Sequence, residues 1–376
     1  MVDQVRPYRS GRRTTARVLV PVGVVALTAA GIGLVPAMAG DSGPSLPALT
    51  AEQVVAKALG SDVESLSGTV KVKADLGVSA QLLGGALPGG AGGRHGGDQG
   101  GSQAAPESKL LELLGGEHTL QVAVDGPDRQ RIGLIGGLTG YELVHNGSEL
   151  WAWDSRSNDA VHLTGPAAAA AQQPKTPLPV TPQDAARRFL SLSAESTSVV
   201  VDGTAEVAGQ KAYQLSVKPK QSGSTIAEVR IAVAADNGVP LAVLVRSTDG
   251  SKVLDVHFSQ VSFAKPSAST FAFTAPKGAK VTERRADQAP AAGRTVPEAL
   301  GQNASGLDLV GQGWATVLTA KLPAGEGSSF AKALGKPVGG GTLLGTKVLN
   351  VLITDDGRVF AGAVTPQVLQ SAAGVK

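Results

Sequence analysis

Side chains able to carry out chemistry are few in this chain, and they are scattered. The five histidines, His95, His118, His145, His162 and His257, show neither His-x-x-x-His nor His-Glu-x-x-His spacing, so no zinc site is expected. There is no Gly-x-Ser-x-Gly elbow to expose a nucleophilic serine. Ser262-Phe263-Ala264-Lys265 and Ser329-Phe330-Ala331-Lys332 both match Ser-x-x-Lys, but neither has the Ser-Asp-Asn and Lys-Thr-Gly partners that would make it a nucleophile. Glycine runs at Gly84 to Gly101 and Gly339 to Gly341 lack the strand-to-helix setting of a phosphate loop. With no cysteine, thiolate chemistry and disulfides are excluded as well. A protein without catalysis, metal or cofactor is the expectation, and apolar contact is what remains.

The residues suited to apolar contact are Tyr141, Trp151, Trp153, Phe189 and Leu190. Trp151 and Trp153 are two apart, so on a strand they share one face. Two readings stay open for that pair: core packing beneath covering helices, or the wall of a cavity that holds an apolar ligand.

The elements that must position these residues alternate with period two. Val70, Val72, Ala74 and Leu76 alternate with Lys71, Lys73 and Asp75, as a half-buried strand should. The same alternation predicts strands at Leu120 to Val124, Arg129 to Ile135 and Tyr141 to Asp154, the last broken by a hairpin turn at Asn146-Gly147. Further strands are expected at Ser198 to Asp202, Gly203 to Val207, Lys211 to Pro219, Ile226 to Ala234, Leu241 to Ser247 and Val253 to Phe263. Short turns at Asp236-Asn237-Gly238 and Thr248-Asp249-Gly250 link the last three into an antiparallel meander, which implies one continuous curved sheet.

Two helices are expected to cover that sheet. Thr50 is an N-cap for Ala51 to Leu59, with Gln53 at the capping-box position. Thr181 caps a second, with Pro182 at its first position and Phe189 and Leu190 on its apolar stripe. The chain changes character near Val296. Stretches at Leu307 to Leu322, Leu343 to Thr354 and Val359 to Val364, then a helix from Thr365-Pro366, predict a small α+β extension over residues 298–376. Three stretches hold too little apolar surface to offset the entropy of ordering: a glycine-rich loop at 83–108, an Ala/Pro loop at 166–179 and a linker at 285–297.

The first 39 residues read as an export signal. Arg6, Arg9, Arg12, Arg13 and Arg17 precede an apolar run from Val18 to Val35 that ends in Pro36-Ala37-Met38-Ala39, a small-x-small cleavage pattern. The run is also long enough to anchor the chain in a membrane, and Arg12-Arg13 hints at twin-arginine export. An exported protein is expected, secreted or held at the outer face of the cytoplasmic membrane. Five of the 34 basic residues but one of the 31 acidic ones precede Gly40, which leaves 29 against 30. Without a basic surplus in the body, nucleic acid is not an expected partner. More than 330 residues follow Ala39, enough for a large core domain and a smaller one without disulfides.

Several segments carry a resemblance. The helix at Leu49 to Leu59, the strand Leu66 to Leu76, the hairpin YELVHNGSELWAWDSRSNDAVHL at Tyr141 to Leu163 and the run TSVVVDGTAEVAGQKAYQLSVKPK at Thr197 to Lys220 are similar to the LolA-like lipoprotein-carrier family. More narrowly they resemble its exported members in high-GC Gram-positive bacteria. IAVAADNGVPLAVLV from Ile231 and FAFTAPKGAKV at Phe271 to Val281 fit the same pattern, and the likeness spans about Leu49 to Thr282. The resemblance implies an incomplete antiparallel β-barrel with lid helices over a hydrophobic cavity, mainly β and α+β in class, occupying residues 40–284. It also implies a monomeric carrier that binds lipid or the acyl chains of lipoproteins. In the related RseB/MucB branch it implies an envelope-stress sensor whose partner is a membrane-bound envelope protein. Aromatic residues make up only 3% of the chain, a departure from carriers that line the cavity with them, and the glycine insertion and C-terminal extension are additions.

Overall fold

The computed structural model describes residues 43–77, 104, 115–136, 139–165, 194–285, 305–321 and 335–375. The export segment, the second helix with Phe189 and Leu190, most of the glycine-rich loop, the Ala/Pro loop, His95 and the Ser329–Lys332 motif lie outside the described residues.

Eighteen strands and two helices make up the described chain, so the protein is mainly β. Strands β1 (Ser65–Ala74), β2 (Gly116–Asp125), β3 (Arg129–Gly136), β4 (Thr139–Asn146), β5 (Glu149–Asp154) and β6 (Asp159–Thr164) form one antiparallel meander. Strands β7 (Thr197–Val207), β8 (Gln210–Pro219), β9 (Ile226–Ala234), β10 (Pro240–Ser247) and β11 (Lys252–Ser262) form a second. The two meet where β11 pairs antiparallel with β1, giving one continuous sheet. Strand β12 (Lys280–Arg285) then pairs with β6 in parallel, so the twelve strands run from β12 at one edge to β7 at the other and the sheet does not close.

Local chemistry accounts for most of these elements. Helix α1 (Ala51–Leu59) starts at a complete capping box: the Thr50 hydroxyl accepts from the Gln53 N–H, and the Gln53 side chain accepts from the Thr50 N–H. The β4–β5 turn sits one residue later than the Asn-Gly signal suggests. Asn146 is the last paired residue, opposite Glu149, and the loop is Gly147-Ser148. Only Gly147 has positive φ there, at 63°, which suits the first central position of a type II′ turn. The two short strands expected at Ser198 to Val207 are one strand, β7, in which a register shift between Val201 and Thr204 absorbs the Asp202-Gly203 interruption. The parallel strand β12 carries no alternating pattern of its own.

A second, six-stranded sheet follows. It contains β13 (Ser305–Val310), β14 (Val317–Lys321), β15 (Lys336–Val338), β16 (Gly341–Gly345), β17 (Asn350–Thr354) and β18 (Arg358–Gly362), in the order β13-β14-β18-β17-β16-β15. Helix α2 (Pro366–Ala373) covers it through Leu369 and Ala373 on Val317, Leu352 and Phe360. Proline opens this helix and Gly374 closes it in the left-handed conformation, although the Thr365 side chain makes no capping bond.

Candidate functional site

In an antiparallel sheet, residues directly opposite one another stand on the same face. The register of the large sheet therefore sorts its side chains into two surfaces of different character. One carries apolar rows. Val122, Ile132, Leu143, Ala152 and Val161 face one another in turn from β2 to β6. Beside them run Phe258, Val70, Leu120, Leu134 and Tyr141, from β11 through β1 to β4. The rows continue into the other half of the sheet through Val72, Val256, Val243, Ile231 and Leu215.

The two halves of this face are covered differently. Over β7 to β10, Val54, Val55 and Ala56 of α1 pack on Tyr213, Leu215 and Val233. Next to them Trp314 packs on Val217, Val229 and Val243. Its ring Nε1–H donates to the Thr197 hydroxyl at 2.8 Å. Over β2 to β6, Ala104 reaches Tyr141, Ala152 and Val161, and the Tyr141 hydroxyl donates to the Ala104 carbonyl at 3.2 Å. Val122 and Leu143 remain half-buried, and Ile132, which stands between them in the row, is 37% exposed. An apolar residue left open amid an apolar face is the kind of surface that takes an apolar ligand.

Trp151 and Trp153 do share a face, but it is the opposite one. Tyr141 stands across from Asp154, so its side chain and those of the tryptophans lie on different sides of the sheet. Any two-residue turn sets odd-numbered positions of β4 against even-numbered positions of β5, so this separation was available from the hairpin alone. The Trp151 ring stacks on His162 at 3.8 Å between centroids, and Phe273 lies against both tryptophans at 5.5 and 6.4 Å. The His162 Nδ1 meets the Glu283 carboxylate of β12 at 2.8 Å. Residues from Ser267 to Phe273 thus cross this face as a strap, held by buried Phe271 and by Arg131, which donates to the Thr270 carbonyl at 2.9 Å. Of the three described residues among the five singled out by type, Tyr141 alone lies on the face that carries α1.

The strap face also bears a charged cluster that no sequence motif announces. Glu228, 7% exposed, accepts from the Ser216 hydroxyl at 2.5 Å and from Arg230 at 3.2 Å, with Lys218 and Arg246 at 3.7 and 3.8 Å. Burial by itself would push the Glu228 carboxyl up; the Ser216 hydroxyl and the neighbouring cations outweigh it and hold the carboxyl below its ordinary value. Arg230 also pairs with Asp202 at 2.7 Å. Ser216 is engaged by Glu228 and the cluster holds no other nucleophile, while the buried Arg230 Nε is left without a hydrogen-bond partner. Among the described residues there is no group of three or more potential metal ligands, and no helix is long and apolar enough to cross a membrane.

No family model and no curated protein matches the chain. Among solved structures it is similar to the MucA/MucB complex structure of Pseudomonas aeruginosa, at 15% identity and a TM-score of 0.41, covering 86% of this chain and 96% of that one. It is similar to an uncharacterized conserved protein of Thermus thermophilus, at 10% identity and a TM-score of 0.34, over 62% of this chain and 99% of that one. A LolA superfamily protein of Nitrosomonas europaea is similar at 14% identity and a TM-score of 0.22, over 60% and 99%.

Proposed function

We propose that this chain is a non-catalytic, exported binding protein whose apolar sheet face takes the acyl chain of a lipid or lipoprotein at the outer surface of the cytoplasmic membrane. The observation that carries the reading is the row Val122–Ile132–Leu143–Ala152–Val161, continuous over five strands and open at Ile132, on the face whose other half is already filled by α1 and Trp314. Each methylene buried there stabilises a complex by about 0.8 kcal/mol, so a chain can bind usefully without a dedicated polar contact. The basic n-region and apolar run before Gly40 support export.

Native mass spectrometry and displacement of a fluorescent fatty acid test the reading. Ile132→Asp and Leu143→Asp should weaken probe binding at least tenfold while the fold is kept, because Ile132 is already partly solvated. A protein that never co-purifies with lipid and ignores the probe, or a double variant that binds as the parent does, would sink the reading. A second reading, a regulator that binds a membrane-bound envelope protein, is favoured by the C-terminal sheet fastened to the large one. Cross-linking in cells separates the two, trapping a membrane protein in one case and acylated cargo in the other.

A further inference from the structure

We propose that Trp314 is the end-stop of the acyl-binding face and sets the length of chain that the protein accepts; this rests on the reading of that face just given. The apolar surface does not end where the exposed residues end. From Leu120 and Val70 it passes without a polar interruption to Phe258, and from Val72 to Val256, Val243 and Ile231. A ligand lying across the strands from Ile132 would find further apolar surface in that direction. What meets it at Val243 is the indole of Trp314, seated on Val217, Val229 and Val243 and 8% exposed, with α1 beyond it on Leu215 and Val233.

The indole belongs to another part of the chain and is placed there by several independent contacts. It lies in the short turn Gly313–Ala315 that leads into β14, and its N–H is aimed by the Thr197 hydroxyl on edge strand β7. The C-terminal unit is held on the same end of the large sheet. Ser224 bridges to Val364, Thr225 donates to the Val348 carbonyl at 2.5 Å, Thr365 N–H donates to the Gly223 carbonyl at 2.8 Å, and Lys347 pairs with Asp75 at 2.5 Å. These fastenings do not involve the indole, so they keep the unit in place when the indole is shortened. Trp314 is therefore a positioning and specificity residue: it occupies apolar surface that a longer chain would otherwise cover.

The test is a length profile. The full chain, with and without Trp314→Ala, is titrated with saturated fatty acids of increasing length in competition with a fluorescent fatty acid. Each further methylene that finds apolar surface tightens binding about fourfold. The parent's affinity should level off at a certain length, and the variant's should go on rising for several methylenes beyond it. Trp314→Phe, which keeps a ring on the three valines, should restore the parent profile. Thr197→Val, which removes the hydroxyl that meets the indole N–H and the Ser196 hydroxyl but keeps the side chain's volume, should leave it nearly unchanged. Should Trp314→Ala fail to fold, Trp314→Leu serves as the shortened side chain. Identical profiles for parent and shortened variant, with both binding, overturn the end-stop and leave the apolar face standing. A parent that binds no fatty acid of any length overturns the face and the end-stop together.

Discussion

Removing the charge of Glu228 tests whether the cluster on the strap face braces strands β8 to β10. The carboxylate side chain is 9% exposed and is the common partner of Ser216, Arg230, Lys218 and Arg246. Glu228→Gln keeps an oxygen for the Ser216 hydroxyl, so the loss is the charge. Stripping one partner from a buried ion pair costs about 3–5 kcal/mol. Lys218 and Arg246 are 54% and 36% exposed and can turn to water, which leaves Arg230, 28% exposed, as the main loss. The expected cost at neutral pH is about 2 kcal/mol, a fall in Tm of roughly 4–8 °C for a domain of this size.

The pH dependence supplies an independent reading of the same cause. Because the folded-state carboxyl is held below its ordinary value of 4.5, its contribution is present above that pH and is lost as pH falls through the folded value. The gap between parent and Glu228→Gln should therefore be full at pH 7 and shrink below about pH 4.5. Urea unfolding of both proteins at neutral and acidic pH measures it. A cost under about 0.5 kcal/mol at neutral pH, or a gap that does not change on acidification, would refute the argument.

Three further changes probe other parts of the fold. Gly238, at φ 76°, lies at the β9–β10 turn, where a Cβ would run into the Lys57 carbonyl oxygen at the end of α1. Gly238→Ala should cost clearly more than the roughly 1–2 kcal/mol of a left-handed L-residue. Gly250→Ala, at a similar φ in open space, should show that backbone cost alone; equal Tm losses would mean that α1 is not held by this turn. The Asp249 carboxyl, hydrogen-bonded by the Ser247 hydroxyl and then by the Ser251 N–H, is drawn from 3.8 to about 2. NMR titration should find it well below the ordinary aspartate value of 3.8, and Asp249→Asn should flatten the loss of stability between about pH 4 and pH 2. Phe271→Ala empties a site that is 1% exposed beneath the strap and should cost about 3–5 kcal/mol in urea unfolding.

What the sequence determined by itself is what neighbours along the chain decide. Alternation at Val70–Ala74 and Leu120–Val124 marks half-buried strands, and Thr50 with Gln53 marks the start of α1, because side-chain parity and cap bonds reach only a few residues. Even the parity that separates Tyr141 from Trp151 and Trp153 was legible in the two-residue turn between them. The tertiary structure decided which strands become neighbours and what lies over each face. Pairing of β1 with β11 joins Val70 to Phe258, and β12 lies parallel beside β6 although its own residues do not alternate. Glu228 gathers its partners from three strands, and Trp314 reaches Thr197 from the C-terminal unit. Period two tells a strand that it has an apolar side, but not what will cover that side. The covering group is selected by burial and hydrogen bonding among segments more than a hundred residues apart, and these exist only once the sheet has assembled.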